Sequence, residues 1–192
     1  MFFYKGYIKY LIYSGRFSSI CKLIIFKLIY TNRFNYTSNI SIGCRFSLFM
    51  DNSKSFFNLG ENIQFRNDIS IRVLDNAFLK IGKSVFLNNS CSINCLSEIS
   101  IGDNTQFGES VKIYDHNHQY RNLNLSIKQQ GYAKGKVIIG NNCWIGSNVV
   151  ILKDVEIGDN VVIGAGCVIY KSIPSNSLVI NNQNLSITSI SV

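Results

Sequence analysis

The 192 residues suffice for one domain with a real core, and with one proline and no long low-complexity stretch they exclude a disordered or fibrous class. The formal charge is +8, but no nucleic-acid reader motif accompanies the excess, so nucleic acid is not an expected partner. No uncharged apolar run approaches the roughly 18 residues of a membrane span, and recurring charges without a small-residue cleavage site argue against a signal peptide.

Residues 1–36 read as a helical, basic-aromatic segment. Phe17, Ile20, Ile24 and Leu28 form an i, i+3, i+4 stripe, with Ser14-Gly15 as a break between two short helices. Lys5, Lys9, Arg16, Lys22, Lys27, Arg33 and Arg45 all precede the first acid, Asp51, and Phe2, Phe3, Tyr4, Tyr7, Tyr10 and Tyr13 lie among them. Two expectations follow. The segment packs on the end of the following domain with its charges facing water, or it lies peripherally against anionic lipid at the inner membrane.

From residue 37 to 192 the texture is β. From about Asn39, short apolar and polar alternation runs between Asn, Ser, Asp and Gly corners. Ile81, Leu87, Ile93 and Ile99 recur every six residues, Ile101, Phe107 and Ile113 resume the spacing, and Ile139, Ile145, Ile151, Ile157, Ile163 and Ile169 carry it unbroken. A period of six is neither helical nor a plain alternation. It predicts a β-helix of hexapeptide repeats, with one inward apolar side chain per face. Glycine follows the aliphatic residue at Gly140, Gly146, Gly158 and Gly164, where it is expected to let the backbone turn.

Between Ile113 and Val137 the register is lost, and the polar stretch of about 115–135 predicts a protruding loop of functional weight. It holds the chain's two histidines, His116 and His118, beside Asp115. A lone histidine is usually structural, but two at a break in a repeat make a general base a serious candidate. Two histidines fall short of the usual zinc set, so no metal is expected. The six cysteines are irregularly spaced without a CxxC pair, and Cys91, Cys95, Cys143 and Cys167, at apolar or small positions within the repeats, read as small core residues. Trp144, the only tryptophan, is either a packing residue or a flat wall beside a ligand channel.

The stretch GKVIIGNNCWIGSNVVILKDVEIGDNVVIGAGCVIYKSIPSN (135–176), with ISIGDN and IYDHNH upstream, resembles the hexapeptide-repeat O-acetyltransferases of the galactoside/maltose type. It is especially similar to enzymes that acetylate bacterial O-antigen or capsular polysaccharide. The resemblance covers roughly residues 39–180. It implies a left-handed parallel β-helix, a homotrimer with active sites between subunits, and acetyl-CoA as cosubstrate. It places the catalytic base at His118, with His116 as the fallback. It puts Asn88 at the acceptor and Trp144, Ser147, Ala165, Tyr170 and Lys171 along CoA, and Asp115, next to the histidines, is a further candidate acceptor contact. Two departures stand out. Leu96 occupies the position of the acceptor-binding carboxylate of the galactoside enzymes, and residues 180–185 replace the usual ending that contacts the outer part of CoA.

The expected activity is acetyl transfer to a sugar hydroxyl of a surface polysaccharide or its precursor, in the cytoplasm and peripheral to the inner membrane. A thiolate route is disfavoured because no cysteine adjoins the loop in sequence. N-acyl transfer to an amino sugar, or acetylation of an antibiotic, shares these motifs. A non-enzymatic β-helix would need a flat regular surface without such a loop.

Overall fold

The computed structural model describes residues 19–51, 54–182 and 188. The expected break at Ser14-Gly15, and Phe17, lie outside them. Residues 19–30 are helical, a 3-10 turn spans Thr31–Arg33, and the remainder is a parallel β-helix. Each of six coils contributes one strand to each of three sheets, and a final partial coil adds Leu178–Val179 to the second. The first face runs from Phe34–Tyr36 up to Val155–Ile157, the second from Ile40–Ile42 to Leu178–Val179, and the third from Ser47–Met50 to Val168–Ile169.

The six-residue spacing is the geometry of these faces. Ile139 pairs with Ile157, Ile145 with Ile163 and Ile151 with Ile169, so each isoleucine stacks on the one three hexapeptides later. All six are at most 5 % exposed, and burial of each contributes about 1.5–3 kcal/mol. Earlier coils are longer. Leu59 pairs with Ile81, and Tyr36 with Leu59, which explains why the period fades towards the N-terminus. The first strand, Phe34–Tyr36, starts ahead of the residues where the alternation becomes legible.

The glycines serve a purpose other than turning. Gly140 does not adopt positive φ; a Cβ there would lie 2.6 Å from the backbone carbon of Gly158 in the next coil. The left-handed corner is taken two residues later by asparagine, with φ of 53° at Asn142, 56° at Asn160 and 61° at Asn176. Asparagine tolerates that region because its short amide bonds locally. Here the amides bond along the stack, Asn142 Nδ2 donating to Asn160 Oδ1 (2.8 Å) and Asn160 Nδ2 to Asn176 Oδ1 (3.0 Å). Gly140→Ala should therefore force adjacent coils apart and cost about 1–3 kcal/mol, read as a lower denaturation midpoint. An unchanged midpoint would show that the coil spacing yields without strain.

The helical residues 19–30 lie across the open end of the first coil. Ser19 Oγ donates to the carbonyl of Ile42 (3.2 Å), Lys22 Nζ to that of Gly43 (2.6 Å), Lys27 Nζ to that of Phe34 (2.8 Å) and Tyr30 Oη to that of Leu48 (3.2 Å). Leu23 and Tyr30 are buried, and Phe26 packs against Phe34 and Phe46. The segment packs on the end of the β-helix, but its lysines do not face water as expected: Lys22 and Lys27 reach inward to the carbonyls of the terminal coil, while Ile20, Ile24 and Leu28 of the stripe are exposed. No helix among the described residues is long and apolar enough to cross a membrane.

Candidate active site

The loop leaves the fourth strand of the third face, Lys112–Tyr114, and returns into the first-face strand Lys136–Ile139. Its neck is an antiparallel pair of His116–His118 with Tyr132–Lys134, and a short helix, Ile127–Gln130, begins with a capping box of Ser126 and Gln129. Asp115 forms the base. Its carboxylate is fully buried and accepts from the N–H groups of Leu96 (2.9 and 3.0 Å) and Ser97 (2.7 Å) in the coil below. It also bonds His116 Nδ1 at 2.9 Å, while its backbone carbonyl accepts from Gly135 N–H at 2.7 Å. One residue thus ties the loop to the preceding coil and closes the loop's two ends.

This arrangement corrects the assignment of Asp115 to the acceptor: its oxygens are committed to the clasp and are sealed from solvent. Leu96 is also buried, its N–H held by Asp115.

The histidines differ in surroundings. A carboxylate only accepts, so His116 carries its proton on Nδ1, and its side chain is 13 % exposed. His118 is exposed, two residues along the same strand, with its ring centroid 4.5 Å from that of Tyr132. His118 lines a cleft of about 610 Å³ with Asn117, Gln119, Arg121, Gln130 and Lys153. No carboxylate is among the described residues lining it. The Lys153 ammonium pairs with Asp154 and holds that carboxyl below its usual range.

Cysteine is brought closer to the loop than sequence adjacency indicated. Cys95 lies against Asp115, but burial, reinforced by the Asp115 charge, pushes its thiol far up and leaves it protonated. Cys91, Cys95, Cys143 and Cys167 are buried free thiols. Among the described residues no group of three or more His, Cys, Asp or Glu could hold a metal ion.

The other expected site residues occupy two edges of the three-sided helix. Trp144 is 61 % exposed on the second face, and Ser147 and Ala165 follow at its corner with the third face. A Cβ on Gly146 would lie 2.6 Å from the Ala165 nitrogen, so these backbones stack closely. Asn88 stands at the same corner, two coils below Ser147's, its Oδ1 accepting from Asn89 N–H at 2.9 Å. Tyr170 and Lys171 instead share the loop's corner, the Lys171 amine 5.6 Å from the centre of the Tyr170 ring. Within one chain, His116 and His118 are therefore not brought together with Asn88, Trp144, Ser147 or Ala165. Residues 183–185 of the altered ending lie outside the described residues.

Sequence reasoning missed Tyr132, which packs on both histidines, and Lys153. Lys153 had a signal: it follows Ile151 by two residues, just as Lys171 follows Ile169.

Residues 136–171 match the family model "Bacterial transferase hexapeptide (six repeats)". Over 105 residues, 54% of this chain, the sequence is 37% identical to "Putative acetyltransferase SAV2555" of Staphylococcus aureus (strain Mu50 / ATCC 700699), and the match spans 51% of that protein, about half its length. Among solved structures, a maltose O-acetyltransferase from Clostridium difficile 630 is 25% identical with a TM-score of 0.52, covering 95% of this chain and 89% of that one. A variant of the N-acyltransferase AntD from Bacillus cereus, solved with dTDP-4-amino-4,6-dideoxyglucose and coenzyme A, shares the fold. Its TM-score is 0.66 at 16% identity, over 86% of this chain and 89% of that one. The chain thus carries the bacterial transferase hexapeptide repeat over residues 136–171 and is similar, over about half its length, to putative acetyltransferases.

Proposed function

We propose that this protein is an acetyl-CoA-dependent O-acetyltransferase that acts on a sugar hydroxyl of a bacterial surface polysaccharide, O-antigen or capsule, or its precursor. The observation that carries the reading is His118, an exposed imidazole in a cleft lined by amides and cations, on a loop clamped at its root by Asp115. Asn117, Gln119 and Gln130 suit a hydroxyl-rich ligand, since each amide both donates and accepts. The likeness to a maltose O-acetyltransferase over 95% of the chain supports a sugar acceptor.

In this reading His118 takes the proton of the acceptor hydroxyl as its oxygen attacks the thioester carbonyl of acetyl-CoA. The C–O bond forms, the C–S bond breaks, and the proton passes from the imidazole to the departing sulfur. No acyl-enzyme is needed. A backbone N–H or the Asn88 amide donates to the oxyanion. The exposed Trp144 face and the small Ser147 and Ala165 form a surface for the pantetheine arm, with Tyr170 and the Lys171 charge towards the nucleotide end. Because the two groups of residues lie on different edges of one chain, we assign the complete site to the junction of two copies in a homotrimer. Leu123, 95 % exposed, and Tyr120, 63 % exposed, give the loop apolar surface to pack on a neighbour. The reading includes cytoplasmic localisation, with peripheral contact between the N-terminal segment and the inner membrane.

One observation favours a second assignment of the base. His116 is the histidine with a carboxylate on Nδ1, the arrangement that orients a catalytic imidazole. N-acyl transfer is the competing reaction, and AntD shows that the fold supports it. A cleft with Arg121 and Lys153, and without a carboxylate among its described lining residues, favours a neutral or acidic acceptor over an amine that must first be held as a cation. Incubation with acetyl-CoA and candidate surface glycans, followed by mass spectrometry, should show an acetyl group that hydroxylamine removes. A hydroxylamine-resistant acetyl would identify amide formation and overturn the O-acetyl reading.

A further inference from the structure

An ordinary surface helix buries its aliphatic face and leaves its lysines in water. Residues 19–30 bury Leu23 and Tyr30 but turn a second aliphatic face outward, while Lys22 and Lys27 reach to backbone carbonyls. Ile20, Ile24 and Leu28, with Ile25 and Ile29 beside them, make a continuous stripe at helical spacing, each between 49 % and 73 % exposed. The opposite side is anchored by Ser19, Lys22, Lys27 and Tyr30 to backbone carbonyls of the first coil on all three faces. The stripe is thus held rigidly outward at one end of the β-helix.

We infer that this stripe is a docking face for an anionic lipid surface, and that it stands the β-helix end-on against the bilayer. The inference rests on the reading that the N-terminal segment meets the inner membrane, and it names the residues and the orientation of that contact. The occupant follows from charge as well as apolarity. The first 50 residues hold seven Lys or Arg and no Asp or Glu. Lys22 and Lys27 bond to carbonyls and to the Asn35 amide oxygen, groups that leave their charge intact. An apolar stripe flanked by the Lys22 and Lys27 charges matches a hydrocarbon layer beneath negative headgroups.

The orientation has a consequence for the site. Strands within a sheet are about 4.8 Å apart. The loop leaves from the fourth strand of the third face, and Trp144 is on the fifth strand of the second. End-on docking holds the loop about 15 Å, and Trp144 about 19 Å, beyond the first coil. A reacting hydroxyl at that height belongs to the glycan part of a lipid-linked acceptor, clear of the headgroup layer.

The test uses the full chain with vesicles of phosphatidylcholine alone or containing about 30 % phosphatidylglycerol. Co-sedimentation is expected with the anionic vesicles, weakened by salt. The Ile25→Asn/Leu28→Asn double variant should bind about tenfold more weakly, with an unchanged melting temperature, because both side chains already face water. Trp144 fluorescence should be insensitive to brominated acyl chains. A Leu28→Trp reporter in a Trp144→Phe background should be quenched by them and shift to the blue. If the wild type ignores both vesicle types, the membrane reading itself fails. If it binds but the double variant binds equally well, residues 1–18 carry the contact and the stripe inference is overturned. A large fall in melting temperature or a smaller particle for the double variant would show the stripe covered by those residues or by a second copy. Quenching of Trp144 would overturn the end-on orientation.

Discussion

His118→Ala is expected to lower kcat about 10²- to 10⁴-fold, the usual contribution of a general base, while the Kd for CoA stays unchanged. His118 is exposed and forms no part of the clasp, so its loss should leave the melting temperature near that of the wild type. The residues assigned to the pantetheine arm, Trp144, Ser147 and Ala165, lie on another edge of the same chain, which is why binding and chemistry should separate. His116→Ala gives the decisive comparison. In the proposed arrangement it loosens the loop and lowers both stability and kcat by a smaller factor. If His116→Ala abolishes turnover and His118→Ala retains it, the base is His116, with Asp115 fixing its tautomer, and His118 becomes an acceptor contact.

Asp115→Ala should be the most damaging single change to the loop. It would leave the Leu96 and Ser97 N–H groups and the His116 Nδ1–H without their acceptor at a fully buried position. A stranded buried polar group costs about 1–3 kcal/mol, so three donors left without their acceptor should together cost about 3–5 kcal/mol. For a chain of this size that corresponds to a fall in Tm of roughly 6–20 °C. Asp115→Asn retains one carbonyl acceptor and turns an N–H₂ towards the remaining donors, so an intermediate loss is expected. Differential scanning calorimetry of both variants, with kcat and KM measured below the transition, separates the roles. A positioning residue lowers kcat in step with loop order, and the Asn variant should recover part of it. An Asp115→Ala variant that melts with the wild type would show that the clasp contributes nothing to the fold.

The repeat was legible because each coil of the later half repeats without insertion. Ile139 to Ile169 sit at equivalent inward positions, and a single spacing reports all three faces at once. The same local logic misassigned the glycines. Sequence shows only that Gly follows Ile; the approach of Gly158 to Gly140 exists only when coils stack. The charges of the helix were misplaced for a similar reason. Spacing shows that Ile20, Ile24 and Leu28 share a face, but the carbonyls presented by the terminal coil decide which face turns inward.

By itself the sequence determined the β-helix, the position of the interrupting loop and the pairing of two histidines with an adjacent acid. All three are encoded in order and spacing along the chain. Only the tertiary structure decided that Asp115 is a buried clasp, that His118 rather than His116 opens into the cleft, and that the loop and Trp144 stand on different edges. Those outcomes depend on contacts between coils about twenty residues apart, such as Asp115 with Leu96 and Ser97, which no local pattern of residue types records.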